Sequence, residues 1–94
     1  MLEIIKADYK GEFVITVEFN NHTKADVNLR EFIQTTPIKP FRKLQDRELF
    51  KKFSVDYTIK WDGELDIAPE YLYYEAFKND ESLKEQFIEW GYAS

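Results

Sequence analysis

An α+β fold is predicted for this chain: a small antiparallel sheet of about five strands, packed by short helices and followed by a C-terminal helix. Three features carry that expectation. Apolar and polar residues alternate over residues 12–19, 23–29 and 53–61, the period of half-buried strands. Short turns rich in Asn, Asp and Gly separate neighbouring stretches, which favours antiparallel pairing. Helix signals stand apart from the strands, in short runs opened by Asp46, Pro69 and Ser82. Residues 1–78 read as one α+β domain, and residues 79–94 as a helical extension docked on it.

Residues 2–7 form a short apolar run of strand length, and residues 8–11 supply turn chemistry. In the next strand Phe13, Ile15, Val17 and Phe19 share one face. Asn20 and Asn21 follow, and Asn tolerates the positive φ of a hairpin turn. Ala25, Val27 and Leu29 point inward from the third strand. One helical turn over 29–35 carries Phe32 and Ile33. Pro37 and Pro40 then make a rigid connection, anchored to the core by Phe41 and Leu44.

Asp46 is a good N-cap for a helix through Lys52 that buries Leu49 and Phe50. Strict alternation over 53–61 places Phe53, Val55, Tyr57, Ile59 and Trp61 on one face of a strand. Asp62 and Gly63 form a strong hairpin-turn signal, with Leu65 and Ile67 on the return strand. Pro69 suits the first position of a helix, where its missing N–H costs nothing, and Glu70 favours that end electrostatically. At the end of the chain, Ser82 and Glu85 fit a capping box. Leu83, Phe87 and Trp90 follow at helical spacing, and Gly91 ends that helix.

A chain of 94 residues has a large surface for its volume, so its core must be dense in large side chains. Eight Phe, six Tyr and two Trp meet that need. The absence of Cys excludes disulfides and Cys-ligated zinc, and fits a reducing compartment. No run reaches the length of a membrane span, and the N-terminus lacks the pattern of a signal peptide. A bacterial cytoplasmic protein is the expectation. The net charge of −5 divides unevenly, +2 over residues 1–61 and −7 over residues 62–94. The acidic end opposes general affinity for phosphate backbones, which depends on Lys and Arg.

Four groups of residues invite a functional reading. Asp62, Glu64, Asp66 and Glu70 cluster in sequence, and a divalent cation needs several oxygen ligands converging on one point. The local alternative is preferred: Asp62 makes the turn and Asp66 caps the helix after it. His22 is the lone histidine and reads as a hairpin-tip residue rather than a zinc ligand or a base. Lys39, Arg42, Lys43, Arg47, Lys51 and Lys52 make a basic patch, with Phe41 as a ring for stacking bases. Arg47 and Lys51 lie one helical turn apart and also suit a solvated face, and Glu48 is placed to pair with Lys52. Last, Tyr71 and Tyr74, with the stripe Leu83, Phe87 and Trp90, are candidate partner-binding residues, since Tyr and Trp are enriched at interfaces. The same stripe also suits packing on the domain's own core. No catalytic, cofactor-binding or metal-ligating residue is assigned, and no cofactor is expected.

The pattern L-x-D-x-E-L-F at residues 44–50, followed by W-x-G-x-x-D-I-x-P-E-x-L-Y at residues 61–73, resembles the DUF 2442 family of small bacterial proteins. The similarity covers residues 2–74, roughly. The resemblance implies a small α+β domain with antiparallel strands packed by short helices, and no agreed catalytic residues. Some relatives carry a helix-turn-helix domain after this one. Others are encoded beside a second small protein, which suggests a toxin–antitoxin or similar two-protein system. The residues after 78 are too few for a helix-turn-helix domain and read instead as one acidic helix.

The expectation from sequence is therefore a protein-interaction or regulatory module, not an enzyme. It would be an antitoxin-like member of a two-protein system, whose partner is another small protein. Nucleic-acid association through the basic patch is the alternative. A membrane partner is not expected, and a homodimer stays open.

Overall fold

Six strands form two antiparallel sheets of three in the computed structural model, which describes residues 1–94. The first sheet has the order β1 (Ile4–Gly11), β2 (Val14–Phe19), β3 (Lys24–Asn28). The second has β4 (Ser54–Asp56), β5 (Thr58–Trp61), β6 (Leu65–Ile67). Four α-helices accompany them: α1 (Arg30–Thr35), α2 (Arg47–Phe50), α3 (Pro69–Phe77) and α4 (Lys84–Glu89). The α+β class is as expected, but there are six strands in two sheets, not about five in one.

The extra strand arises at Tyr57. Its φ of 54° turns the chain back on itself, so that Asp56 pairs with Thr58 and Ser54 with Lys60. The expected single strand over 53–61 is thus two strands. Ile59 and Trp61 are buried as expected, while Val55 and Tyr57 are 38% and 46% exposed. Thr58, expected outward, is buried, and its hydroxyl donates to the Ile67 carbonyl. The corner is locked from outside the hairpin: the Ile4 N–H donates to the Tyr57 carbonyl at 2.8 Å, which ties the two sheets together.

The first hairpin also differs from expectation. Residues 8–11 are not a turn but the end of β1, and the chain reverses at Glu12 and Phe13, with φ of 53° and 65°. Phe13 is held in this unfavourable region by burial, its ring 5.1 Å from that of Phe50. Upstream, Ile4 faces Phe19 and Lys6 faces Glu18, leaving Ile5 as the extra residue of a bulge. The bulge reverses the side-chain parity, so Ile4 is buried, Ile5 is 53% exposed, and Ala7 and Tyr9 pack against the core.

The rest follows the local chemistry closely. Ile15, Val17, Phe19, Val27 and Leu29 are all buried, as the alternation predicts. The proline-containing connection winds into a 3-10 helix, Lys39–Gln45, and three residues per turn bring Phe41 and Leu44 to the same face. The Asp46 side chain accepts from the Glu48 N–H, as expected of an N-cap, but the helix stops at Phe50. So short a helix has one inward position, taken by Phe50, and Leu49 is 39% exposed. At Asp62 and Gly63, φ values of 56° and 74° make the expected tight turn. Asp66 does not cap α3: the N-cap position is Ala68, with no side-chain hydrogen bond. No helix is long and apolar enough to cross a membrane.

Fifteen buried residues form one core between the sheets and helices, with Trp61, Phe50, Phe41 and Phe13 in edge-on or tilted contact through it. Phe87, from α4, is buried separately, beyond that cluster.

Candidate functional site

Helix α3 opens with Pro69 at its first turn and buries Leu72 against the core. At helical spacing, this leaves Tyr71 and Tyr74 along one flank, and Tyr73 and Phe77 along another. The terminal segment lies across these rings. A 3-10 turn, Glu81–Leu83, leads into α4, and Asp80 caps it by accepting from the Ser82 N–H at 3.0 Å. Asp80 therefore does the work expected of the Ser82–Glu85 box. The helix ends as expected at Gly91, whose φ of 87° lets its N–H reach the Ile88 carbonyl and the Tyr92 N–H reach that of Phe87.

The resulting face is built of aromatic rings. Tyr71 and Tyr74 lie 6.2 Å apart between centroids, and both contact Tyr92, at 5.5 and 5.4 Å. Phe87 meets Tyr74 edge-on at 5.2 Å, and Trp90 meets Tyr73 at 6.2 Å. Phe87 is 1% exposed, so it anchors the segment and offers no free surface. Tyr71, Tyr74, Leu83 and Trp90 are half-buried. Tyr92 is the member that the helical spacing did not identify. Its signal was Gly91: a helix ended this way turns the second residue beyond its end back over the helix, here onto the level of Phe87.

Carboxylates rim the face. The Tyr71 hydroxyl donates to Glu75 at 3.1 Å, and Glu75 pairs with Lys78 at 3.5 Å. Burial, and then the charge of Glu75, push the Tyr71 phenol far above its ordinary value. Burial and Glu70 raise Tyr92 in the same sense. An open cleft of roughly 300 Å³ borders Tyr71, Tyr74 and Glu75, with Phe32 on its wall.

The basic patch lies elsewhere, on the 3-10 helix, α2 and the turn that follows. Lys39, Arg42, Lys43, Arg47, Lys51 and Lys52 are all exposed. Three of them are ion-paired: Arg47 with Glu12 at 2.7 Å, Lys43 with Asp62, and Lys51 with Glu48. Glu48 thus pairs with Lys51 and not with Lys52, and it raises the Lys51 pKa. Glu12 also holds Arg30, at 2.6 Å. Phe41, the expected stacking ring, is 3% exposed and faces the core, where it meets Phe32 and Trp61.

The remaining candidates do not assemble into a site. Asp62 is engaged by Lys43, and no three His, Asp or Glu side chains converge to hold a metal ion. His22 is exposed at the β2–β3 hairpin tip with φ of 71°, its N–H donating to the Phe19 carbonyl at 3.0 Å.

Residues 4–78 match the family model described as "Protein of unknown function (DUF2442)", a span that runs from β1 to the residue after α3. No curated protein and no solved structure matches the chain.

Proposed function

We propose a protein-binding role for this chain, which belongs to the DUF2442 family. On this reading it is a non-catalytic module, the regulatory or neutralising member of a two-protein system. The binding surface is the aromatic face of Tyr71, Tyr74, Trp90 and Tyr92, and the partner is a small protein with a basic surface. The supporting observation is that these rings are all half-buried, joined through Tyr92 by tilted and edge-on contacts, and rimmed by Glu70 and Glu75. Aromatic anchors within a charged rim supply affinity at the centre and orientation at the edge.

The nucleic-acid reading has less free charge to work with. Carboxylates occupy three of the six patch cations, and Lys39, Arg42 and Lys52 are left without an ion pair. Counterion release scales with the number of phosphates neutralised, so three free cations support only weak, salt-sensitive binding.

The test is recovery of the partner from lysate of the source cells by the tagged chain and by a Tyr71→Ala, Tyr74→Ala, Trp90→Ala variant with unchanged far-UV circular dichroism. The proposal predicts a stoichiometric small basic protein with the parent chain and its loss with the variant. Undiminished recovery by the variant overturns the assigned surface.

A further inference from the structure

Residues 80–94 touch the rest of the chain through side-chain packing and almost no polar bond. The sole hydrogen bond from this segment to the preceding chain is Asp80 N–H to the Phe77 carbonyl, at 2.9 Å. No ion pair joins them. Both ends of the segment are closed internally, by the Asp80 cap and the Gly91 turn. Its one buried residue is Phe87, seated on Tyr73 and Tyr74 at 6.4 and 5.2 Å. The tether, Lys78, Asn79 and Asp80, is exposed throughout.

Ring packing of this kind does not depend on which chain supplies the segment. We propose that the segment is exchangeable: it leaves its own α3 and seats Phe87 on Tyr73 and Tyr74 of a second copy, giving a segment-swapped pair. The swapped pair re-forms the ring contacts of Phe87 and gives up only the local Asp80–Phe77 bond across the tether, which makes exchange a low-cost route to a dimer. The covalent tether holds the segment at an effective concentration on the order of millimolar, so the closed form dominates in dilute solution. Exchange is favoured by high protein concentration, or by a tether too short to close.

The experiment measures fluorescence anisotropy of a labelled peptide of residues 79–94 mixed with the intact chain. The peptide is expected to bind the parent chain weakly. It is expected to bind a Phe87→Ala chain, whose own segment is loosened, on the order of tenfold more tightly. A peptide carrying Phe87→Ala is expected to bind neither. If the Phe87→Ala chain does not fold, Trp90→Ala replaces it. Full-length chain lacking Asn79 is expected to show a larger dimer fraction by light scattering than the parent. Absent peptide binding, equal binding to both chains, indifference to the peptide's own Phe87→Ala change, or a deletion chain with no more dimer than the parent would each overturn the proposal. Equal binding by an unrelated aromatic helical peptide would assign the seat to foreign helices instead. None of these readouts involves the lysate partner, so this inference and the proposed function fail separately.

Discussion

The indole N–H of Trp61 donates to the main-chain carbonyl of Phe50 at 2.7 Å, inside the core. Phe50 is the last residue of α2, so its carbonyl has no partner along the helix. Trp61 supplies that partner and also stacks on the Phe50 ring at 5.6 Å. These two residues close the first of the chain's sequence patterns and open the second, so the bond joins them physically. Trp61→Phe keeps an aromatic ring but strands the buried carbonyl. A loss of about 2–4 kcal/mol in urea unfolding is expected.

Gly63 has φ of 74°, with no atom within 4 Å of where a Cβ would sit. Steric room is therefore not the issue, and Gly63→Ala costs only the backbone preference. The expected loss is about 1 kcal/mol, with no change in the denaturant slope. Gly91→Ala is expected to lose a similar amount locally, seen as faster amide exchange in α4 while β2 is unaffected.

Glu12 holds Arg30 and Arg47, at 2.6 and 2.7 Å, and so bridges α1 and α2 from the first hairpin. All three side chains are largely exposed, at 64%, 45% and 60%. Solvent screening keeps such pairs weak, and Glu12→Gln is expected to cost less than about 1 kcal/mol. The difference between parent and variant is expected to shrink in about 1 M salt.

Tyr71 gives the fold an alkaline limit. Its phenol is neutral in the folded state well above the ordinary value of 10.0, because of burial and Glu75. A raised folded-state pKa means that the unfolded chain releases the proton first as pH rises. Stability from this group is therefore complete below the ordinary value and falls as pH climbs above it. Unfolding midpoints followed from about pH 8 to about pH 11 should show a downward slope that is shallower in Tyr71→Phe.

Much of this architecture was legible where local chemistry decides it. Alternation located the buried faces of β2 and β3, Asp46 and Gly91 mark the helix ends they were expected to mark, and Asp62 and Gly63 make their turn. What escaped the sequence is positive φ at residues that are not turn formers. Tyr57, Glu12 and Phe13 carry no turn signature, and tertiary contacts impose their conformations. The Tyr57 carbonyl accepts from Ile4, and the Phe13 ring packs on Phe50. The alternation of residue types runs unbroken through Tyr57 although burial does not follow it, with Val55 exposed and Thr58 buried, so periodicity cannot reveal the corner. Ile5 is hidden for the same reason, since a bulge shifts parity without any special residue.

The candidate site was partly legible. Helical spacing identified Tyr71, Tyr74 and Trp90, which the fold brings together as half-buried rings around Tyr92. It could not show that Phe87 turns fully inward, nor that Tyr92 folds back to complete the cluster. The basic patch was read from sequence density alone. Its partial neutralisation depends on Glu12 and Asp62, which are remote in sequence and adjacent only in the fold.

The most direct test of the proposed binding surface is a hydrogen-exchange footprint of the intact chain with and without its purified partner. New protection is expected over residues 69–77 and 84–92, with residues 39–52 unchanged. Protection confined to residues 39–52 would contradict it and place the contact on the basic patch.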